Sequence, residues 1–233
     1  RICRLFRNCT LMIIVEDNLV SQELQDYYHM LVFGSVNVNA MLPLVCKYEP
    51  TAFEGDSIPI SFEHVLKSST KLTEHYGNFS KIPQVVCSKL NINFIDIIAA
   101  RLFITVPHKT KLEYYAPHTD RPEEHLGLIY YVNDSDGDTV FFKNKEIIKR
   151  VSPKKGRIVL FDGNTFHSGG FPTDNPRCIV NFNLYAWASD QRRMMLASTS
   201  VPVVLNTLIA NTSGPFGKVP LPPNVVFVSS FNW

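Results

Sequence analysis

A histidine and an aspartate stand two residues apart in the segment YYAPHTD, which follows a run of β-forming residues. His118 and Asp120 could bind a metal ion, because imidazole and carboxylate groups are both common metal ligands. The spacing is also compatible with an ordinary polar turn at the end of a strand, since His-x-Asp occurs by chance in many proteins. The pair alone therefore leaves both interpretations open.

A second histidine favours the metal interpretation. His167, in LFDGNTFHSGG, follows a strand-like run within the same β-rich part of the chain. Strands this far apart in sequence can be neighbours in a jelly roll. Two histidines and one carboxylate on one face form the facial triad of non-haem Fe(II) sites, which leaves positions open for a chelating 2-oxo acid and for O2. A fourth protein ligand would instead favour a structural metal site.

An arginine offers a partner for an anion in this site. Arg177 begins the apolar segment RCIVNFNLY. A 2-oxo diacid held by its keto-acid end would direct its distal carboxylate into the protein, where the buried charge needs a fixed cation. A guanidinium group can form a bidentate, charge-assisted pair with it. The alternative is a surface arginine after a turn, but the apolar neighbours favour a side chain that points inward.

The elements that must position these residues are short β-rich runs from about residue 97 onward. They are IIAARLFITV, LEYYAPH, LGLIYYVN, DTVFF, RIVLFDG and CIVNFNLYAW. The segment LIYYVNDSDGDTVFF predicts a hairpin between the metal-ligand segments, with its turn at Asn133–Asp134. Many short strands after an N-terminal helical layer predict a mainly β protein with bracing helices (α+β), specifically a double-stranded β-helix, or jelly roll.

The N-terminal part predicts one strand followed by helices. MIIVEDNLV reads as a strand that breaks at Asp17–Asn18, two good helix N-caps, before the helical spacing of LVSQELQDYYHMLV. SFEHVLKSSTKLTEHYG is predicted to be helical, and PQVVCSKLN is predicted to be a further helix. The buried stripe of the former would consist of Phe62, Val65, Leu66 and Leu72.

Composition narrows the class of protein. The chain has 233 residues, 45% of them apolar, which is enough for one sizeable core. Its formal net charge of +2 is too small to predict binding to nucleic acid or membrane by electrostatics. The five cysteines are scattered, with no C-x-x-C motif, which is typical of a reduced, cytoplasmic protein. No apolar run reaches the roughly 18 residues of a membrane span.

Three regions are expected along the chain. Residues 1–11 precede the first methionine and are excluded from the predicted fold. Residues 12–189 form the predicted domain, with a jelly-roll core at about 97–187. Residues 190–233 are rich in proline and are expected to be an extension, packed along the barrel or against a partner or a second copy of the chain.

Several motifs in order resemble one family. YAPHTD resembles Tyr-x-Pro-His-x-Asp, and SPKKGRIVLFDG resembles Pro-x-x-Gly-x-x-x-x-Phe before the distal histidine, both from the prolyl-4-hydroxylase-like branch of the Fe(II)/2-oxoglutarate-dependent dioxygenases. IYYVND and HSGGFPTDNPRCIVNFNLY are similar to other segments of that branch. The sequence GDT stands where the family usually has Gly-Gly-Glu-Thr, which affects no ligand. The resemblance covers residues 97–187.

The resemblance implies a role for each matching residue. The iron ligands would be His118, Asp120 and His167, and Arg177 would bind the distal carboxylate of 2-oxoglutarate. The other cofactor-binding candidates are Tyr131, whose hydroxyl could reach the same carboxylate or simply pack in the barrel, Asn181, four residues after Arg177 on the same strand face, and His108, where relatives often have a tyrosine.

The implied activity is Fe(II)- and 2-oxoglutarate-dependent hydroxylation of an unactivated C–H bond, with O2 as oxidant and ascorbate as a candidate reductant for reactivation. A prolyl residue of a peptide or a small amino-acid-like molecule is the implied substrate. A nucleic acid is not the expected substrate, because nucleic-acid demethylases of this superfamily resemble Arg-x-Asn-x-x-x-Arg after the distal histidine, whereas RCIVNFNLY lacks the second arginine. A non-catalytic jelly-roll binding or structural module descended from this family is the alternative, which would be free to lose the triad and Arg177.

A run of basic residues lies between positions 143 and 157. A solvated surface explains it, and an acidic or phosphate-bearing substrate is the alternative. The run consists of Lys143, Lys145, Lys149, Arg150, Lys154, Lys155 and Arg157.

Overall fold

The computed structural model describes residues 12–35, 39, 42–47, 60–109 and 111–188. The expectations for residues 1–11 and 190–233 lie outside these ranges. The elements, in chain order, are β1 (Ile13–Glu16), α1 (Gln22–Phe33), β2 (Val45–Lys47), β3 (Ser61–Lys67), α2 (Tyr76–Phe79), α3 (Lys81–Lys89), β4 (Ile92–Thr105), β5 (Leu126–Tyr131), β6 (Thr139–Lys143), β7 (Glu146–Val151), β8 (Ile158–Asp162), β9 (Phe166–Gly169) and β10 (Arg177–Ala188).

Two antiparallel sheets make up the fold. The large sheet has the strand order β1-β8-β5-β10-β4-β3-β2, and the small sheet has the order β7-β6-β9. The predicted mainly β jelly roll is confirmed, and the N-terminal helical layer is minor. None of the helices in the described ranges is both long and apolar enough to cross a membrane.

Alternation along the strands divides the core into two layers. On β10, Cys178, Val180 and Phe182 belong to the larger apolar cluster, the outer cluster, to which α1 and α3 also contribute. The intervening Ile179 belongs to a smaller cluster, the inner cluster, which joins the inner faces of the two sheets. Since successive side chains of a strand point to opposite faces, Arg177, which precedes this series by one residue, also faces inward. The cofactor-binding candidates of β10 therefore share the inner face.

The helix α1 braces the outer face of the large sheet through aromatic contacts. The ring of Tyr28 lies 5.7 Å from that of Tyr130 on β5 and 5.3 Å from that of Phe79 in α2. The predicted strand and helix at the N-terminus are thus confirmed. The helix begins later than predicted, because its N-cap is Ser21 and not the Asp17–Asn18 pair.

The predicted helix in SFEHVLKSSTKLTEHYG is wrong, because its first half is strand β3. Phe62, Val65 and Leu66 fit a helical spacing, but the segment also alternates with period two. Because the segment pairs with β4, it follows the period-two pattern of a strand, and Leu66 lies in the outer cluster. Leu72, assigned to the buried stripe, is 65% exposed.

The predicted hairpin in LIYYVNDSDGDTVFF is also wrong. Strand β5 pairs with β8 and β10 in the large sheet, whereas β6 pairs with β7 and β9 in the small sheet. The segment between them therefore crosses from one sheet to the other. The tight hairpin joins β6 and β7, where Asn144 and Lys145 have φ values of 53° and 69°, as a type I′ turn requires.

Several residues of the basic run have acidic partners. Arg150 lies 2.6 Å from Glu113, and both Arg157 and Lys154 pair with Asp17 at 2.7 and 3.2 Å. These ion pairs lie at partly exposed positions, which supports the interpretation of the run as a solvated surface.

Candidate metal centre

The two predicted histidine ligands are joined directly through their backbones. The N–H of His118 donates to the carbonyl of His167 at 3.0 Å, and the N–H of His167 donates back at 2.9 Å. The segment LEYYAPH forms only such isolated bridges, not the predicted strand, because Pro117 has no N–H with which to continue a ladder. The two reciprocal backbone hydrogen bonds nevertheless place the side chains of His118 and His167 next to each other, with ring centroids 4.9 Å apart.

Asp120 completes the cluster. Its Oδ1 lies 3.7 Å from Nε2 of His118 and 3.8 Å from Nε2 of His167. The three potential ligand atoms all lie within 4.8 Å of one another. Two imidazoles and one carboxylate at these separations fit a facial metal site with open positions.

The orientation of both imidazoles suits metal binding. Nδ1 of His118 lies 3.1 Å from the carbonyl of Ala116, and Nδ1 of His167 lies 3.0 Å from that of Thr165. A carbonyl only accepts, so each Nδ1 must carry the proton, which leaves the lone pair of Nε2 for a metal. Burial lowers the pKa of His167, which favours the neutral, ligating form.

Two amides hold the carboxylate. Asn181 and Asn183 on β10 both donate to Oδ2 of Asp120, at 2.9 and 2.8 Å. Burial alone would raise the pKa of Asp120, but His167 and the two amides outweigh it and hold the pKa below its ordinary value. The carboxylate is therefore ionised, with Oδ1 free to bind a cation. In the structure Asn181 contacts Asp120, and its predicted contact with the cosubstrate stays a prediction.

Asn183 was missed by the sequence interpretation. Period-two alternation in RCIVNFNLY puts it on the same face as Asn181, which was the available signal. What the pattern could not show is that both amides reach one carboxylate far away in sequence.

Aromatic rings border the cluster on one side. The ring of Phe161 lies 4.8 Å from that of His167, and the ring of Phe141 lies 6.1 Å from it. Both phenylalanines are buried in the inner cluster. This apolar border restricts the motion of the His167 ring and keeps water from that side.

Arg177 is buried, with 4% of its surface exposed. Its Nε donates to the carbonyl of Gly137 at 2.8 Å, and its Nη2 donates to Oγ1 of Thr139 at 2.7 Å. Among the residues that the structure describes, no carboxylate forms an ion pair with it. A buried guanidinium without an anion is costly, so this position is suited to a carboxylate supplied by a ligand.

Two tyrosines and one threonine surround this guanidinium. The hydroxyl of Tyr131 donates to Thr139 Oγ1 at 2.6 Å, and its ring lies 5.9 Å from the guanidinium carbon. Burial raises the pKa of Tyr115, an effect opposed by Thr105, Ser61 and Arg177. The backbone N–H of Tyr115 donates to the carbonyl of Gly169 at 3.0 Å. Tyr115 is the tyrosine of YAPHTD and Thr139 is the threonine of GDT, but the sequence analysis assigns a role to neither residue.

His108 lies beside the segment that connects β9 to β10. Its backbone N–H donates to the carbonyl of Pro172 at 3.0 Å, and the residue is half-buried. Its role toward the cosubstrate stays a prediction.

Comparison with known proteins agrees with this geometry. Residues 106–185 match the model of the 2OG-Fe(II) oxygenase superfamily. The matched range is about a third of the chain and contains the His-Asp-His cluster and Arg177. The resemblance to the Fe(II)/2-oxoglutarate-dependent dioxygenases is thereby confirmed, together with the implied enzyme class and its cofactors, Fe(II), 2-oxoglutarate and O2. No curated protein matches the sequence.

Solved structures share the fold at low identity. An oxidoreductase of the 2OG-Fe(II) oxygenase family from Burkholderia pseudomallei has a TM-score of 0.55 and 10% identity, with 78% of this chain and 87% of that one covered. A prolyl-4-hydroxylase from Pseudomonas putida has a TM-score of 0.51 and 14% identity, covering 75% and 92%. A Trichoplax adhaerens prolyl hydroxylase in complex with a hypoxia inducible factor peptide fragment has a TM-score of 0.52 and 13% identity, covering 84% and 90%.

Proposed function

We propose that this chain, whose residues 106–185 match the 2OG-Fe(II) oxygenase superfamily, is a 2-oxoglutarate-dependent hydroxylase that inserts oxygen into an unactivated C–H bond. One observation carries the proposal: a facial cluster of metal ligands and a buried arginine without a carboxylate partner among the described residues share the inner face of one jelly roll. We assign the oxygenase domain to residues 12–189.

In this proposal His118, Asp120 and His167 hold Fe(II), each through the atom that its other contacts leave free. Arg177 holds the distal carboxylate of 2-oxoglutarate, with Tyr131 and Thr139 fixing the guanidinium. When bound, these cofactors supply the oxidising chemistry, in which 2-oxoglutarate is decarboxylated to succinate and CO2 and one oxygen atom of O2 enters the substrate. The protein contributes geometry, a fixed cation and a pocket bordered by apolar rings.

The substrate is proposed to be a prolyl residue of a peptide or a small amino-acid-like molecule. The similarity of fold to prolyl hydroxylases, one of them in complex with a peptide fragment, supports this choice. The three cysteines in the described ranges are free thiols, which supports a reducing, cytoplasmic location.

Anaerobic titration of apo-protein with Fe(II) and then with 2-oxoglutarate tests the proposal. A chelated 2-oxo acid at an open iron site gives a weak charge-transfer band in the visible range. We expect the band in the wild type and in His29→Ala, a control on α1, and no iron binding in His118→Ala. Arg177→Ala should bind iron but require far more 2-oxoglutarate.

The absence of the band in folded wild-type protein would contradict the proposal. It would leave the non-catalytic binding or structural module as the better explanation. Retained activity in His118→Ala would contradict the ligand assignment.

A further inference from the structure

The inner face of the large sheet carries a second polar group beside the metal centre. Arg101 on β4 lies directly opposite Asn181 on β10, and side chains of directly opposed residues share a face, with Cβ atoms about 5 Å apart. Leu102 and Ile104 belong to the outer cluster, whereas Phe103 packs against the inner one. Arg101 therefore extends from the inner face, one strand away from the amide that holds Asp120.

A buried carboxylate fixes this arginine. Glu63 on β3 is on the same face, because it pairs with Phe103, and its side chain is only 5% exposed. Its Oε1 lies 3.5 Å from Nη1 of Arg101, which is longer than the 2.7–2.9 Å of a charge-assisted hydrogen bond. The side chain of Arg101 is 47% exposed. The carboxylate thus sets the position of the guanidinium without enclosing it, which leaves donor groups for a second anion.

An acceptor lies next to this cation. Nδ2 of Asn181 donates to Asp120, so its Oδ1 points away from that carboxylate. This oxygen is buried and has no hydrogen-bond partner among the groups that the structure describes. A buried, unsatisfied acceptor is costly, so it is suited to an N–H group that arrives with a ligand.

We propose that Arg101 and Asn181 form the substrate subsite and that they select a free amino acid, or a similarly small molecule with a carboxylate beside an N–H group. Arg101 binds the carboxylate and Oδ1 of Asn181 accepts from the nitrogen, while Glu63 holds Arg101 in place. An internal prolyl residue offers neither a carboxylate nor an N–H group at these positions. This inference rests on the proposed function and decides between its two substrate classes.

The test uses the anaerobic complex of the protein with Fe(II) and 2-oxoglutarate, in which a substrate that binds beside the metal perturbs the charge-transfer band without turnover. Each of the proteinogenic amino acids is titrated as the free acid and as its N-acetyl amide, which lacks the carboxylate. We expect at least one free amino acid to bind, and its N-acetyl amide to bind about tenfold more weakly or worse, as the loss of a charged hydrogen-bonded pair implies.

Substitutions of Arg101 test whether this side chain binds the carboxylate of the amino acid. Arg101→Gln should weaken binding of that amino acid about tenfold or more, and Arg101→Lys should weaken it less, since it keeps the charge but loses the planar fork. Arg150→Gln is the matched control, because Arg150 also pairs with a glutamate but stands on β7, in the small sheet. It should bind as the wild type does.

Three outcomes would overturn the inference while the band forms normally: no free amino acid binds, the N-acetyl amides bind equally well, or Arg101→Gln binds unchanged. The intact band would show in each case that the metal and 2-oxoglutarate sites are folded. If the wild type forms no band at all, it is the proposed function that fails.

Discussion

Asn183 donates a hydrogen bond of 2.8 Å to Oδ2 of Asp120, while Oδ1 of the same carboxylate lies 3.7 and 3.8 Å from the Nε2 atoms of the two histidines. Asn181 donates to the same Oδ2 at 2.9 Å. One oxygen is thereby held by the protein and the other is left for a metal. The division of roles within one carboxylate favours binding through a single oxygen and keeps further coordination positions open.

Replacing Asn183 should therefore weaken metal binding without abolishing it. We expect Asn183→Ala to lower the affinity for Fe(II) by roughly 10–100-fold, the usual effect of losing a hydrogen bond to a metal ligand. Anaerobic Fe(II) titration measures it, with the exposed Asn164→Ala as control. An unchanged affinity in a folded Asn183→Ala protein would show that the amide does not position Asp120.

The hydroxyl of Thr139 should matter more than its methyl group. It accepts from both Tyr131 and Arg177, at 2.6 and 2.7 Å, inside the core. Thr139→Val keeps the shape but leaves two buried donors without this acceptor. We expect a loss of about 1–3 kcal/mol in the free energy of unfolding and weaker binding of 2-oxoglutarate.

Thr139→Ser is the control, because it retains the hydroxyl. Urea unfolding and 2-oxoglutarate titration should separate the two variants clearly. Equal behaviour of Val and Ser at this position would mean that the shared hydroxyl contributes nothing to the site.

The principal candidate residues belong to linear motifs, so the sequence alone could nominate them. His118, Asp120, His167 and Arg177 were identified in this way, and the structure brings the first three together. Asn183 was missed, because its partner is defined by the cross-strand arrangement rather than by a motif.

The errors in the fold have a similar origin. Two β-rich runs flank Asn133–Asp134 and predict a hairpin there, yet the runs belong to different sheets. Local sequence indicates that a strand exists and which residues alternate on it. It does not state which strand is its neighbour, since that depends on packing between distant segments. For the same reason the sequence predicts a helix where β3 forms, because only the pairing with β4 distinguishes the two periodicities.

Gly169 provides a steric test of the cosubstrate pocket. A Cβ at this position would stand 3.3 Å from Nη1 of Arg177, which is tight for the group that we propose receives the carboxylate of 2-oxoglutarate. Gly169→Ala should lower the affinity for 2-oxoglutarate more than the affinity for Fe(II). Gly77→Ala is the matched control, because nothing lies within 4 Å of its Cβ. Sequential Fe(II) and 2-oxoglutarate titrations measure both affinities, and equal binding by the two variants would place the cosubstrate elsewhere.

The ion pair between Asp17 and Arg157 should make stability depend on pH. Arg157 donates to both oxygens of Asp17, at 2.7 and 3.0 Å, and this contact joins the turn after β1 to the segment that leads into β8. The hydrogen bonds from Arg157 lower the pKa of Asp17 below its ordinary value of 3.8.

Because the pKa of Asp17 is lower in the folded chain than in the unfolded chain, the stabilisation is complete above about pH 4 and is lost as the pH falls through the folded pKa. We expect Asp17→Asn to cost roughly 1 kcal/mol at neutral pH, since the pair is partly exposed, and the difference from the wild type to shrink below pH 4. Urea unfolding of both proteins between pH 7 and pH 3 measures it, and a difference that stays constant to pH 3 would contradict the assignment.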